Sequence, residues 1–318
     1  MSRRKHDWGK DDGGRAVSAF ESAGARALPA AGRPFARALR ELRRNKAALA
    51  GLAILLAVLA CALSAPWLAP FDPTLQDVID KRLQPPLWVS DLGETHWLGT
   101  DHLGRDLLSR TIYGARVSLA VGFGAVALSG TAGLAIGLFA GYLGGRLDDL
   151  FMRLGDIQLA FPLILLAIAL VAVLGPSLPV LIFVLGLTGW VNYARIVRAE
   201  VLTLREREYI EAVLALGGGT WRVLWRHLLP NVLTPAVVMA TLDVARMIIF
   251  ESALSFLGLG VQPPTPAWGS MLADGRQFIV TAWWPATVPG LAIMLTVLGI
   301  NLLGDWLRDA LDPRLDLG

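Results

Sequence analysis

Residues 211–231 read EAVLALGGGTWRVLWRHLLPN and interrupt very apolar sequence on both sides. The pattern predicts an amphipathic helix over 206–216, because Tyr209, Val213 and Leu216 fall at i, i+4 and i+7 on one face. The first of the three glycines then ends this helix, since a residue without a Cβ easily adopts the left-handed conformation. The stretch therefore predicts a short helix and a glycine turn between two apolar segments.

The second half of the stretch predicts another short helix that leads into the next apolar segment. Thr220 is its expected N-cap, and Pro230 marks its boundary with the following helix. The first helix has charged residues and one apolar face, which leaves two interpretations open. The apolar face either binds in a groove of a partner protein, or lies in the lipid headgroup layer.

The composition identifies an integral membrane protein. Of the 318 residues, 54% are hydrophobic and only 17% are charged, whereas soluble domains have about 25% charged residues. A helix needs roughly 20 apolar residues to cross a bilayer. Four stretches without any charged residue reach that length, namely 47–71, 117–145, 157–194 and 278–304.

Six membrane-spanning helices are predicted, because 157–194 is long enough for two spans and the apolar segment 228–260 adds another. The fold class is an all-α, six-helix bundle, since a β-barrel would have short segments of alternating hydrophobicity. The predicted spans are 47–69, 117–142, 157–175, 178–194, 234–259 and 284–304.

Basic residues predict the orientation of these spans. Residues 1–46 contain twelve Lys or Arg and five acidic residues, whereas residues 70–116 contain five basic and seven acidic residues. Because Lys and Arg are enriched on the cytoplasmic side, both termini and the 211–231 stretch are predicted to be cytoplasmic. This topology accounts for the net charge of +3, so no nucleic-acid partner is expected.

Motifs for chemistry are absent from the sequence. No lysine stands in a GxxxxGK[ST] phosphate loop, and no HExxH metal pair or GxSxG nucleophile motif occurs. The single cysteine, Cys61, excludes an intrachain disulfide and a cysteine-based zinc site. A membrane enzyme is therefore a weak hypothesis, and neither a catalytic residue nor a metal site is predicted.

Three charged residues inside the predicted fifth span are further candidates. Asp243 and Arg246 are three residues apart and can pair on one helical face, while Glu251 points about 140° away from Arg246. A charge at mid-span costs about 3 kcal/mol. These residues either pair between packed helices or line a translocation path, and both readings stay open.

A charged segment, 101–110, precedes the second span and contains two Asp and two Arg. It could form an ion or peptide-terminus site. A helix start is favoured, with Thr100 or Asp101 as its cap and with Arg110 four residues after Asp106.

The 211–231 stretch resembles the EAA loop of ABC importer permeases, which reads EAA, three residues, Gly, nine residues, Ile, one residue, Leu-Pro. Val213 stands where alanine is usual, and His227 stands where isoleucine is usual. Neither change removes the helix, the glycine or the Leu-Pro. The resemblance implies a coupling helix that sits in a cleft of an ATP-binding subunit. The residues at the matching positions, predicted to couple the chain to the ATPase, are Glu211, Ala212, Val213, Gly217, Leu229 and Pro230.

Further blocks resemble the C-type permease subunit of dipeptide, oligopeptide and nickel importers. They read HWLGTD at 96–101, LSFLGLGVQPPTP at 254–266 and NLLGD at 301–305. The likeness covers nearly all of the chain beyond residue 35 and implies the type I ABC importer permease fold. The predicted divisions are a disordered cytoplasmic tail (1–34), an anchor helix with the start of an extracytoplasmic loop (35–90), a permease domain (115–305) with its coupling loop (203–230), and a cytoplasmic C-terminus (306–318).

The resemblance also implies a function and partners. Six helices supply half of a pathway through the plasma (inner) membrane. A homologous second permease, two ATP-binding cassette subunits carrying ATP and Mg, an extracytoplasmic substrate-binding protein and membrane lipid are therefore expected. The chain itself would bind no cofactor and catalyse no reaction. It would translocate peptides, or a related solute such as a nickel chelate, by alternating access. The alternative is a secondary transporter or channel without an ATPase, which would not need the coupling loop.

Overall fold

The computed structural model describes residues 42–311. The predicted tail at 1–34, and residues 312–318 of the predicted C-terminal segment, lie outside the described residues. From Asn45 onward the described part is mainly helical and contains one short antiparallel strand pair.

The elements follow one another with short connections. Strands β1 (Trp88–Val89) and β2 (Thr95–His96) pair antiparallel, with Trp88 opposite His96. A π-helical turn (Val223–Leu228) leads into the ninth helix, and a 3-10 turn (Arg276–Phe278) follows the tenth. The helices from Asn45 onward are α1 (Lys46–Leu63), α2 (Ala65–Leu68), α3 (Leu107–Leu143), α4 (Gly145–Leu159), α5 (Leu163–Leu174), α6 (Leu178–Arg205), α7 (Glu208–Ala215), α8 (Thr220–Arg222), α9 (Leu229–Phe256), α10 (Trp268–Gly275) and α11 (Trp284–Leu311).

Five helical segments in the described part are long and apolar enough to cross a membrane. They are α1, α3, α6, the continuous segment Thr220–Phe256 and α11. A sixth crossing results when α4 and α5, which meet at 90°, count as one broken span. The predicted all-α membrane bundle is confirmed, with five spans or, including the bent pair, six.

The prediction of a continuous third span at 157–175 is wrong. The chain leaves helix α4 at Ala160 and resumes as α5 only after Pro162, which is the N-cap of α5. A proline disfavours helical conformation in the residue before it. The helix is therefore interrupted at Phe161, although the sequence remains apolar. Helix α5 has 12 residues and is about 18 Å long, which is shorter than the hydrocarbon core.

The second span also begins differently from the expectation. Its helix starts ten residues before the predicted 117, at Leu107, and its N-cap is Asp106, whose carboxylate accepts from the Ser109 amide at 2.8 Å. The expectation of a cap at Thr100 or Asp101 is therefore wrong, because the Asp101 carboxylate instead binds backbone amides of its own loop.

Helices α3 and α6 pack along a ridge of glycines on α3. A Cβ at Gly133 would lie 2.4 Å from the Tyr193 Cβ, and one at Gly137 would lie 2.6 Å from the Ala194 carbonyl oxygen. Lipid is as apolar as these helices, so close approach through small residues stabilises their packing. These glycines therefore allow α3 and α6 to approach closely within this chain.

Candidate functional site

The 203–230 loop leaves the bundle between α6 and α9 and folds back through helix α7. This helix ends in two capping hydrogen bonds, from the Gly218 amide to the Val213 carbonyl (2.8 Å) and from the Gly217 amide to the Leu214 carbonyl (2.9 Å). Gly217 has a φ of +83°, as the residue after a helix has in this capping motif. The predicted glycine stop is confirmed.

The second glycine is required for a different reason. A Cβ at Gly218 would lie 2.5 Å from Val213 Cγ1 and 2.6 Å from the Val213 carbonyl oxygen. Gly219 has a φ of −73° and open space around its Cα, and it is the N-cap of α8. The prediction that Thr220 caps this helix is wrong, because Thr220 is already its first helical residue and its side chain makes no capping hydrogen bond.

Ile210 anchors helix α7 to the bundle. Its side chain is 0% exposed and belongs to a buried apolar cluster that joins α3, α6, α7, the π-helical turn and α9. A shift of α7 can therefore be transmitted to the long helices through the close packing of this cluster. The other buried members of this cluster are Leu138, Val197, Val201, Val223, Leu224, Leu228, Val232 and Ala236.

Three large apolar residues on or next to α7 are exposed. Leu216 is 89% exposed, and Tyr209 and Leu214 are also exposed. We call Tyr209, Leu214 and Leu216 the apolar face of the loop. Val213, which was expected on the same stripe, is half-buried and packs against the Ile210 cluster. The predicted stripe is therefore correct at its ends and wrong at its centre.

The motif residues of the loop occupy three kinds of position. Glu211, Ala212 and Gly217 are exposed around α7. Leu229 is the first residue of α9 and is half-buried, whereas Pro230 lies in the first turn of that helix and is exposed. These positions are compatible with a contact to another chain, and the coupling role of these residues stays a prediction.

An open groove of about 290 Å³ lies beside the apolar face. Its walls combine the apolar Val213 and Leu216 with the cationic side chains of Arg222 and Arg226. Trp221 and Trp225, which precede these two arginines in the chain, have exposed indole rings that stack with their planes 7° apart. The groove thus offers apolar surface and positive charge to a molecule outside this chain.

The charged residues of α9 have very different surroundings. Arg246 Nη1 lies 3.1 Å from Asp243 Oδ1, and the Asp243 side chain is 3% exposed whereas that of Arg246 is 55% exposed. Glu251 is fully buried and accepts hydrogen bonds from Ser255 (2.7 Å) and Ser118 (3.2 Å). Asp243 and Arg246 thus form one pair, while Glu251 connects α9 to α3 on another side of the helix.

A buried charge network holds the segment before α3. Asp101 receives a hydrogen bond from Arg105 Nε at 2.6 Å and lies 3.5 Å from Arg110 Nε. Asp106 binds His96 Nδ1 at 2.9 Å, and all five of these side chains are buried. We call Asp101, Arg105, Arg110, Asp106 and His96 the charge network. Asp101 pairs with the two arginines and Asp106 pairs with His96, whereas His96 Nε2 and Arg110 Nε make no hydrogen bond within the described part of the chain. These pairs within one segment agree with the favoured reading of a structural helix start.

Sequence reasoning missed two of the residues that organise these sites. Ile210 could have been found as the apolar residue three positions before Val213, on the side of α7 away from Leu216. No local signal identifies Ser118 as the partner of Glu251, because the two are 133 residues apart. Among residues 42–311, no cluster of three or more His, Cys, Asp or Glu side chains is arranged to hold a metal ion.

Comparison with known proteins places this geometry in a family. The family described as "Binding-protein-dependent transport system inner membrane component" matches residues 133–317, and the "N-terminal TM domain of oligopeptide transport permease C" matches residues 33–86. The "Di/tripeptide transport system permease protein DppC" of Pseudomonas aeruginosa is 49% identical over 85% of this chain and 89% of its own length. The "Dipeptide transport system permease protein DppC" of Escherichia coli K12 is 46% identical over 86% of this chain and 91% of its own length.

A solved structure has the same fold. The MetNI methionine ABC transporter, in inward-facing conformations, superposes with a TM-score of 0.50 at 20% identity and covers 64% of this chain and 96% of the transporter chain. The family match covers more than half of the chain. This protein therefore belongs to the inner-membrane permeases of binding-protein-dependent ABC importers, and the resemblance inferred from the EAA-like loop is confirmed.

Proposed function

We propose that this chain is the transmembrane permease subunit of an ATP-driven importer of dipeptides and other short peptides. The names of the relatives, which describe permeases for dipeptides and tripeptides, support this substrate class. A nickel chelate, the other solute class considered from the sequence, has no such support among the relatives named above. The chain acts without chemistry of its own and binds no cofactor, since ATP and Mg belong to the partner subunits.

In the proposed orientation the chain spans the inner membrane, and the 203–230 loop and both termini lie in the cytoplasm. Basic residues concentrate in residues 1–46 and support this orientation. The charge network and the β1–β2 pair then lie on the extracytoplasmic side, beneath the position of a substrate-binding protein.

The proposed complex contains a homologous second permease, two ATP-binding cassette subunits and the extracytoplasmic binding protein, surrounded by lipid. One six-span chain supplies half of the pathway, and the second permease supplies the other half. Closure of the ATPase subunits moves the loop of each permease and turns the central cavity outward, and hydrolysis returns it inward. The chain thus converts a nucleotide-driven movement into alternating access.

The observation that carries this proposal is the two-sided construction of α7. Its outward side exposes Leu216 and Tyr209 next to a cationic groove, where another protein can bind. On its inward side, Ile210 belongs to the buried cluster that also contains residues of α3, α6 and α9. A helix held only by lipid would not need this rigid connection to the spans.

The test is purification of the tagged protein in mild detergent, followed by peptide uptake with two matched variants. Gly217→Val places a β-branched residue at φ +83°, which costs about 1–3 kcal/mol, whereas Gly219→Ala introduces a methyl group into open space at an ordinary φ. We expect an ATPase and a second permease to co-purify with the wild-type protein. Gly217→Val should reach the membrane but lose peptide uptake, and Gly219→Ala should transport normally.

Two outcomes would overturn the proposal. Uptake that persists without any ATPase would indicate a secondary transporter. Normal uptake by Gly217→Val, at wild-type amounts in the membrane, would show that the glycine stop of α7 has no role in coupling.

A further inference from the structure

The ion pair on α9 is asymmetric, although its two residues are only one helical turn apart. The Asp243 carboxylate is almost completely buried, and the hydroxyl group of Tyr193 on α6 lies beside it. The Arg246 side chain is more than half exposed at its surface. A pair that only joined two packed helices would bury both partners. The guanidinium group of Arg246 is instead held by Asp243 and remains available to a molecule outside this chain.

Arg246 lies in the interior of a membrane-spanning segment. It is 17 residues after the start of α9 at Leu229 and 10 residues before its end at Phe256, or about 26 Å and 15 Å along the axis. An arginine in hydrocarbon at this depth costs about 3 kcal/mol or more. Its exposed guanidinium group must therefore meet water or another polar group, and not lipid.

The surrounding face of α9 is compatible with one wall of a water-filled path. At 100° per residue, the side chains within 40° of Arg246 include Met239, Leu242, Phe250 and Ala253. All four are partly exposed, although Phe250 also packs against the buried core and Leu242 lies against Gly304 of α11. The fully buried Glu251, by contrast, lies about 140° away, toward α3. One cationic group thus stands in the middle of an otherwise apolar and partly open face.

We propose that Arg246 is a transit site for the carboxylate of a peptide in the translocation path, and that Asp243 positions it. This inference rests on the proposed function as a peptide importer. A terminal carboxylate is common to peptides of every sequence, so one arginine can contact substrates that differ in all side chains. The planar guanidinium group has five donors and binds a carboxylate in a bidentate manner.

Asp243 keeps the affinity of Arg246 for a substrate carboxylate low enough for transport. Among the described residues Arg246 has one ion pair, which joins Nη1 to Asp243 and leaves the other donors of the guanidinium group for a second anion. The buried carboxylate offsets part of the arginine charge, so a substrate carboxylate is attracted without being trapped. A conducting path needs sites that are favourable to enter and weak enough to leave.

The first experiment compares uptake of trialanine and trialanine amide by the complete transporter, for wild type, Arg246→Gln, Arg246→Lys and Ile249→Gln. Ile249 is exposed less than one turn further along α9 and serves as the control for a polar side chain at this depth. Arg246→Gln should lower uptake of the free acid about tenfold, as expected for the loss of a hydrogen bond to a charged group. Uptake of the amide should fall much less, and Arg246→Lys should restore part of the free-acid uptake. Binding of trialanine and of trialanine amide to the isolated binding protein is measured alongside, so that the uptake of each peptide is compared at equal saturation of that protein.

The second experiment tests access to the site in a Cys61→Ser background, since Cys61 is the only natural cysteine. Arg246→Cys should react with a membrane-impermeant cationic thiol reagent, and trialanine should slow the reaction. No reaction, together with loss of the second permease on purification of Arg246→Gln, would show that Arg246 binds that subunit and would overturn the proposal. An equal loss of acid and amide uptake would also overturn it. These failures are distinct from failure of the proposed function, in which the wild type itself would not import trialanine.

Discussion

The charge network and the 203–230 loop are both rich in charged residues, yet they use these residues in opposite ways. In the network, Asp101, Arg105 and Arg110 are buried, and the Asp101 carboxylate pairs with both guanidinium groups. In the loop, Glu211 and Arg222 are exposed beside an apolar face. Burial, and not charge content, therefore separates groups that hold a segment together from groups offered to another protein.

The largest effect is expected from Asp101→Ala in the charge network. The substitution removes the carboxylate that pairs with both buried guanidinium groups, and among the described residues only Arg105 keeps a second carboxylate, that of Asp274 at 3.7 Å. Removing one partner of a buried ion pair costs about 3–5 kcal/mol. We expect a much lower unfolding temperature of the purified protein in detergent. Asp91→Ala is the control, because Asp91 is exposed in the same segment. Equal unfolding temperatures for the two variants would refute the structural role of the network.

The next effect is expected from Ile210→Ala, at the inward side of α7. Its side chain is fully buried among residues of three long helices, and such truncations cost about 2–5 kcal/mol. We expect α7 to loosen, so that trypsin cleaves more rapidly after Arg207. Leu214→Ala, on the exposed side of the same helix, should leave the cleavage rate unchanged. If both variants were cleaved alike, α7 would not be anchored through Ile210.

A smaller effect on stability, but a clear effect on assembly, is expected from Leu216→Ser. Leu216 is exposed, so its replacement should change the free energy of unfolding by about 0.5 kcal/mol or less. A central apolar contact of an interface is worth more than about 1 kcal/mol. Binding of the ATPase, measured by titration of the purified subunits, should therefore weaken about tenfold. Ile79→Ser, at an exposed position outside the loop, is the control and should bind normally.

Much of this arrangement could be predicted from local sequence. Uncharged stretches of sufficient length identified the spans, and Gly217 identified the end of α7, because both signals depend on a few neighbouring residues. The break at Phe161 was missed because apolar composition continues through it. The inward side of α7 was missed because spacing alone allowed Val213 to point outward with Leu216. Which side of a helix is covered depends on distant residues, here those of the Ile210 cluster.

The exposure of Arg246 could not be predicted for the same reason. The spacing to Asp243 indicated an ion pair, and the structure contains one. Nothing in the sequence of α9 indicates that one partner is buried beside α6 while the other faces outward. The choice between a pairing role and a path-lining role therefore depends on tertiary structure.

The smallest effect is expected from the partly exposed ion pair between Lys81 and Glu94, in the same segment as the charge network. Lys81 Nζ donates to Glu94 Oε2 at 2.8 Å, and this bond holds the pKa of Glu94 below its ordinary value. A lowered pKa in the folded state stabilises the protein above the unfolded-state pKa, and this contribution is lost as the pH falls through the folded-state pKa. Solvent screens such a pair, so its contribution is small.

Glu94→Gln should therefore lower the unfolding temperature slightly at neutral pH and not at all below the folded-state pKa of Glu94. Unfolding temperatures of wild type and variant, measured across the acid range, check this convergence. Asp101→Ala should differ strongly from wild type at neutral pH, because its partners are arginines that stay charged and buried. If Glu94→Gln were as costly as Asp101→Ala, burial would not distinguish the two kinds of charge, and the contrast between the network and the exposed loop would lose its physical basis.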